Sequence, residues 1–212
     1  GPWYFSRRKS VPSRFKFCNK LQKTIQFCGD SFCDCEEGYL STLSKLLDAK
    51  IVTKGKQGSS QEHAIITFNP NVDYTVFCWT EEHRIYHSQH DDLNMAVCET
   101  RKDTSEYHLI GSLYYEKLHD FQWAERRAYR DLYWFDKEVL SKSKSKIIHC
   151  FGFKNRFKFI HGYTLSKPIS TIFNTQKNYV TKKKVFNHMD ECENNLFAQL
   201  LFDIFTKELL SG

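Results

Sequence analysis

The chain has 212 residues, with 31 Lys and Arg against 25 Asp and Glu for a formal net charge of +6, and 41% hydrophobic and 16% aromatic content. That apolar content is enough for one domain with its own core. The absence of any apolar run of ~18 residues excludes a helical membrane span. Eight cysteines in a chain this long do not require a disulfide framework. Those at 78, 98 and 150 sit in apolar runs, as reduced cysteines do, so a reducing compartment is expected.

Gly1-Pro2 has the form of a scar left by tag cleavage. Residues 1–19 read as a basic N-terminal segment and 20–212 as a single domain. Ser6 to Lys23 holds seven cations and no acid, and SKSKSK (Ser141–Lys146) and TKKKVF (Thr181–Phe186) are further basic runs. Such clusters suit a polyanion, since phosphate contacts dominate non-specific nucleic-acid affinity. Arg7, Arg8, Lys9, Lys142, Lys144, Lys182, Lys183 and Lys184 are therefore the expected RNA-phosphate partners, the alternative being solvated loops.

Lys20–Cys28 and Tyr39–Leu47 read as helical, the second with Leu40, Leu43, Leu46 and Leu47 at helix spacing. Between them, CGDSFCDCEEG (Cys28–Gly38) packs cysteines and acids around two glycines. A structural zinc site needs a second cysteine pair, and a redox site needs Cys-x-x-Cys where this stretch has Cys-x-Cys. Neither is expected, and no metal or cofactor is assigned. Lys54–His63 reads as a loop.

AIITFNP (Ala64–Pro70) and DYTVFCWT (Asp73–Thr80) are rich in β-branched and aromatic residues and read as an antiparallel pair. HRIYHS (His83–Ser88) and LNMAVCET (Leu93–Thr100) would extend the sheet. CETRK has the outline of a nuclease E-x-K strand, with Glu99 in place but Arg101 where a lysine belongs. Gly111–Leu140 reads as one long helix. KIIHCFGF (Lys146–Phe153) and FKFIHGYTL (Phe157–Leu165) read as a hairpin about Lys154–Arg156. Asp190 caps the last helix with Glu193 three residues on, ahead of a stripe of Leu196, Phe197, Leu200, Leu201, Ile204 and Phe205. Trp79, Trp123, Trp134, Phe157 and Phe159 could stack on bases, but core packing is the expectation for each. The order of elements predicts an α+β domain, a mixed β-sheet core flanked by helices.

Taken in order, IQFCGDSFCD, VCETRK, RDLYWFDKEVL, IIHCFGFKNRFKFIHGYTL and FNHMDECENNLFAQLLFDIF resemble the motifs of the decapping-exonuclease family of Rai1 and Dom3Z, over the C-terminal part of that fold. In that alignment Cys33 stands where the family has a metal-binding glutamate. Glu99 and Arg101 stand at E-x-K, and Lys137 stands near the glutamine of the Trp helix. A thiol is a poor ligand for Mg²⁺ or Mn²⁺, and one carboxylate cannot hold two divalent ions. The resemblance therefore implies a catalytically degenerate member, like the branch represented by Cutoff in the piRNA pathway. Such a protein would be a nuclear pseudo-enzyme without cofactor, binding or shielding RNA 5′ ends and docking on protein partners. The alternatives are an active metal-dependent RNA 5′-end hydrolase, drawing ligands from Glu36, Glu37, Glu81 or Glu82, and a protein-docking domain without RNA contact.

Overall fold

The computed structural model describes residues 21–34, 38–173 and 189–208. Its centre is a five-stranded sheet in the order β2-β1-β3-β4-β5, formed by Lys23–Gly29 (β1), Ala49–Thr53 (β2), Tyr74–Trp79 (β3), Lys146–Phe151 (β4) and Tyr163–Thr164 (β5). Every pairing is parallel. The fold is thus α/β, and the expected mixed sheet with an antiparallel pair is corrected.

Burial explains the strands. All six residues of β3 are buried and β4 is buried from Ile147 onward, as in a sheet covered on both faces. On one face Ile25, Phe27, Val76, Cys78, Ile148 and Cys150 pack under α1 (Tyr39–Leu47) and α7 (Glu191–Asp203). On the other, Cys28, Phe77, Trp79, Ile147 and Phe151 meet Ala64 of α2 (Gln61–Thr67), Leu132 of α5 (Phe121–Trp134) and Phe135 just beyond it. The period of two along each strand divides these side chains between two cores.

Several segments differ from the sequence reading. Lys23–Gly29 is the inner strand β1, not a helix, because it is covered on both faces. Ala64–Thr67 belongs to helix α2, whose start is fixed by Ser60 Oγ accepting from His63 N at 3.3 Å. A side-chain cap outweighs the strand preference of two isoleucines and a threonine. The expected strand Leu93–Thr100 is mostly α3 (Met95–Arg101), capped by Asn94 Oδ1 at Ala96 N and Val97 N. Only Ile85 and Leu93 form an antiparallel bridge.

The long helix is two, α4 (Glu106–Lys117) and α5, the second started by Asp120 accepting from Trp123 N at 2.9 Å. β4 and β5 are parallel neighbours rather than a hairpin, and a short helix α6 (Ile169–Ile172) follows. The closing helix α7 is as expected, with a reciprocal cap between Asp190 and Glu193. Phe197, Leu201, Ile204 and Phe205 are buried, while Leu196 points outward. No helix among the described residues is long and apolar enough to cross a membrane.

Candidate functional site

The chain leaves β1 for β2 on one side and returns to β3 on the other, so the strand order reverses at β1/β3. In open parallel sheets, ligands bind beyond the carboxyl ends of the strands at such a point. The residues there are Gly29, Asp30 and Ser31, with Ser31–Cys33 forming a 3-10 turn.

Asp30 is 2% exposed and Arg84 7%. Asp30 Oδ2 accepts from Arg84 Nη1 at 3.1 Å and Thr80 Oγ1 at 2.9 Å, and Oδ1 accepts from Phe32 N at 3.2 Å. Burial pushes the Asp30 carboxyl above its usual range, and Arg84 is the chief opposing influence. The same guanidinium donates to Ser59 O at 3.1 Å and pairs with Glu81 at 3.3 Å. Ser59 Oγ in turn donates to Gly29 O at 3.0 Å. Three loops, one after each of β1, β2 and β3, are thereby tied to one buried ion pair.

Gly55 lies against the turn so closely that a Cβ there would collide with Gly29 O and Cys33 Cβ. Its amide donates to Cys33 O at 2.9 Å, and Lys56 N donates to Gly29 O at 3.0 Å. On top of this scaffold Ser31 is half-buried. Among the described residues, neither its hydroxyl nor its amide N–H is engaged in a hydrogen bond.

The residues singled out from the sequence are dispersed. Cys33 is fully buried in the first core, with Sγ 3.6 Å from Tyr39 Oη, and Tyr39 Oη is 3.3 Å from Cys78 Sγ. Burial raises the Cys33 thiol well above its ordinary value. Glu99 is on α3, not a strand, held by Lys102 at 2.6 Å and by Ser112 Oγ at 2.7 Å. Lys102 is the first cause of its lowered pKa. Arg101 ends the same helix, and Lys137 lies exposed after α5, over the Tyr133 ring. These four share no hydrogen bond or ion pair, so they do not assemble as one site.

Lys142 and Lys144 are exposed just before β4, at the amino edge of the sheet, opposite Ser31. Arg7, Arg8, Lys9, Lys182, Lys183, Lys184, Glu36 and Glu37 lie outside the described residues. Trp79 and Phe159 are core residues as expected, but Trp123 and Trp134 are 57% and 53% exposed, which corrects that reading for both. Ser31 was missed. The signal was present as Gly-Asp-Ser directly after an apolar run, masked by the neighbouring cysteines.

His149 is also buried at this level of the sheet. Its Nδ1 accepts from Trp79 Nε1 at 3.1 Å, so Nε2 carries the proton and donates to His161 O at 2.9 Å. Burial lowers its pKa to about 3. A neutral imidazole stacked 3.6 Å from the Phe159 ring is a packing element.

No family model matches the chain, and no curated protein matches it. Among solved structures, it is similar to one described as that of a candidate lipolytic protein of the G-D-S-L family from Desulfitobacterium hafniense DCB-2. The identity is 11%, the TM-score 0.42, and the match covers 86% of this chain and 99% of that one. A likeness at that score assigns no chemistry here. The expectation that the chain is not an enzyme is corrected, because the four positions on which it rested, Cys33, Glu99, Arg101 and Lys137, do not form one site in the fold.

Proposed function

We propose that the chain is a hydrolase that cleaves carboxylic esters with Ser31 as nucleophile. The observation that carries this reading is the placement of an uncommitted serine hydroxyl and amide at the strand-order reversal, on a turn held by the buried Asp30–Arg84 pair. A nucleophile must be accessible and fixed, and a free N–H beside it can face the oxyanion that forms when it attacks. Ser31 Oγ adds to the ester carbonyl, and its proton passes to a base. The C–O bond to the alcohol breaks, and the alcohol leaves with that proton. Water then cleaves the acyl group from Ser31 by the same route.

A fluorophosphonate probe and 4-nitrophenyl acetate test this. The wild type is expected to be labelled on Ser31 and to hydrolyse the ester. Ser31→Ala is expected to lose the label and lower kcat by roughly 10³-fold or more. No labelling, or labelling and hydrolysis that survive Ser31→Ala, overturns the reading. Among the described residues no imidazole is hydrogen-bonded to Ser31. The search for the base therefore proceeds by alanine replacement of the histidines, starting with His188, which precedes Met189 in the sequence.

A further inference from the structure

A cleft of about 490 Å³ lies between α5 and the segment Lys154–Arg156. That volume falls within the ~300–1,000 Å³ typical of ligand sites. It is lined by Tyr129, 57% exposed, whose ring is braced edge-on by Phe157 at 5.3 Å. Its rim carries Glu125, Arg126 and Lys154, with Lys154 Nζ 3.8 Å from the Glu125 carboxylate.

The rim decides the ligand class. Arg156 also lines the cleft, but its guanidinium is already paired with Glu82 and donates to Thr80 O. With Lys154 facing Glu125, the one uncompensated charge among these groups is Arg126, a poor match for a multiply charged ligand. Nor does a charged rim suit a bare acyl chain. Adjacent acceptors and donors around an aromatic face fit a group whose hydroxyls each give and take a hydrogen bond, which is the chemistry of a sugar.

The cleft shares lining residues with a hollow beside the turn that carries Ser31. Lys154 and Arg156 also line a smaller hollow of about 200 Å³, with Thr80 and Phe153. Thr80 bonds Asp30 at 2.9 Å, and the Phe153 ring is 6.0 Å from that of Phe32, the residue after Ser31.

We infer that this cleft holds the saccharide alcohol of an O-acylated sugar whose ester is presented to Ser31. The inference rests on the Ser31 reading. In the reaction the sugar hydroxyl is the leaving group and departs with the proton taken from Ser31, while the acyl group passes to the enzyme and then to water.

The experiment compares kcat/KM for glucose pentaacetate and 4-nitrophenyl acetate in the wild type, Tyr129→Ala and Arg126→Ala. All are surface changes on an intact α5. Expected is a fall of about tenfold for the sugar ester in Tyr129→Ala, carried by KM, with the aryl ester unchanged. Equal effects on both esters, or none, overturn the cleft as a sugar site. In parallel, saturation-transfer NMR of methyl β-glucoside and cellobiose with Ser31→Ala reads binding without turnover. A signal lost in Ser31→Ala/Tyr129→Ala supports the cleft even if no ester is hydrolysed, in which case only the Ser31 reading fails. No signal with the tyrosine present overturns the cleft.

Discussion

Two ion pairs of this protein invite comparison. Glu99 on α3 and Lys102 just past its end approach to 2.6 Å, and Asp30 and Arg84 at the β1/β3 reversal only to 3.1 Å. The shorter pair is the weaker, because its side chains are 61% and 41% exposed against 3% and 8% for the other. Water screens the first, while the second is desolvated and each charge depends on its partner. Distance alone says little about what a pair holds together; burial and shared bonds say more. Arg84 also holds Ser59 O and Glu81, so its loss would loosen three loops at once.

That contrast can be broken or sharpened by measurement. The largest effect is expected for Arg84→Ala or Asp30→Ala, each stranding a buried charge at a cost of about 3–5 kcal/mol. In thermal unfolding this is a drop of roughly 10 °C. Arg84→Met with Asp30→Asn should cost less than either alanine change alone. If the single changes left the melting temperature unmoved, the pair would not be the clamp described here.

A middle-sized effect is expected from His149, whose folded pKa is about 3 against ~6.5 unfolded. The unfolded chain binds the extra proton first, so this contribution is complete above pH ~6.5 and is lost as pH falls towards 3. At pH 5 the loss is about 2 kcal/mol, read as a lower denaturation midpoint in urea. His149→Gln should flatten that acid limb, and an unchanged limb would mean the proton uptake lies elsewhere. The smallest effect is expected for Glu99→Gln, with melting temperature and ester hydrolysis both within error of wild type. A loss of activity would place Glu99 in a site the fold does not show.

The sequence made some of this legible and hid the rest for physical reasons. The last helix could be read because its signals are local: Asp190 and Glu193 cap each other three residues apart. The same holds for α1, whose leucines repeat at helix spacing. The sheet could not be read in the same way. Gln26 is buried within β1, donating to Asn69 O at 2.7 Å and Thr75 Oγ1 at 2.9 Å, so a polar residue interrupts a strand that is nonetheless internal. α2 and α3 carry strand-prone residues yet are helical, their starts set by Ser60 and Asn94.

The candidate site was hidden for a further reason. Asp30 matters through Arg84, which is 54 residues away, and no local pattern announces that meeting. The cysteines of the same stretch drew attention because their chemistry is conspicuous. In the fold Cys28 and Cys33 are buried packing thiols, and among the described residues the serine between them is the group whose hydroxyl is left without a hydrogen bond.

The all-parallel sheet has a consequence for how the molecule comes into being. β1 meets β3 at a sequence separation of 49, and Trp79 of β3 bonds His149 of β4 at a separation of 70. No central strand pairs with a neighbour through a tight turn, so long stretches of chain must be ordered before any sheet contact repays them. Such topologies fold slowly and pass through states with unpaired edges. During synthesis the serine turn lacks its buried ion pair until Arg84 is made, and β3 has an open edge until β4 follows. The nascent protein would stay exposed to aggregation until β4 is made.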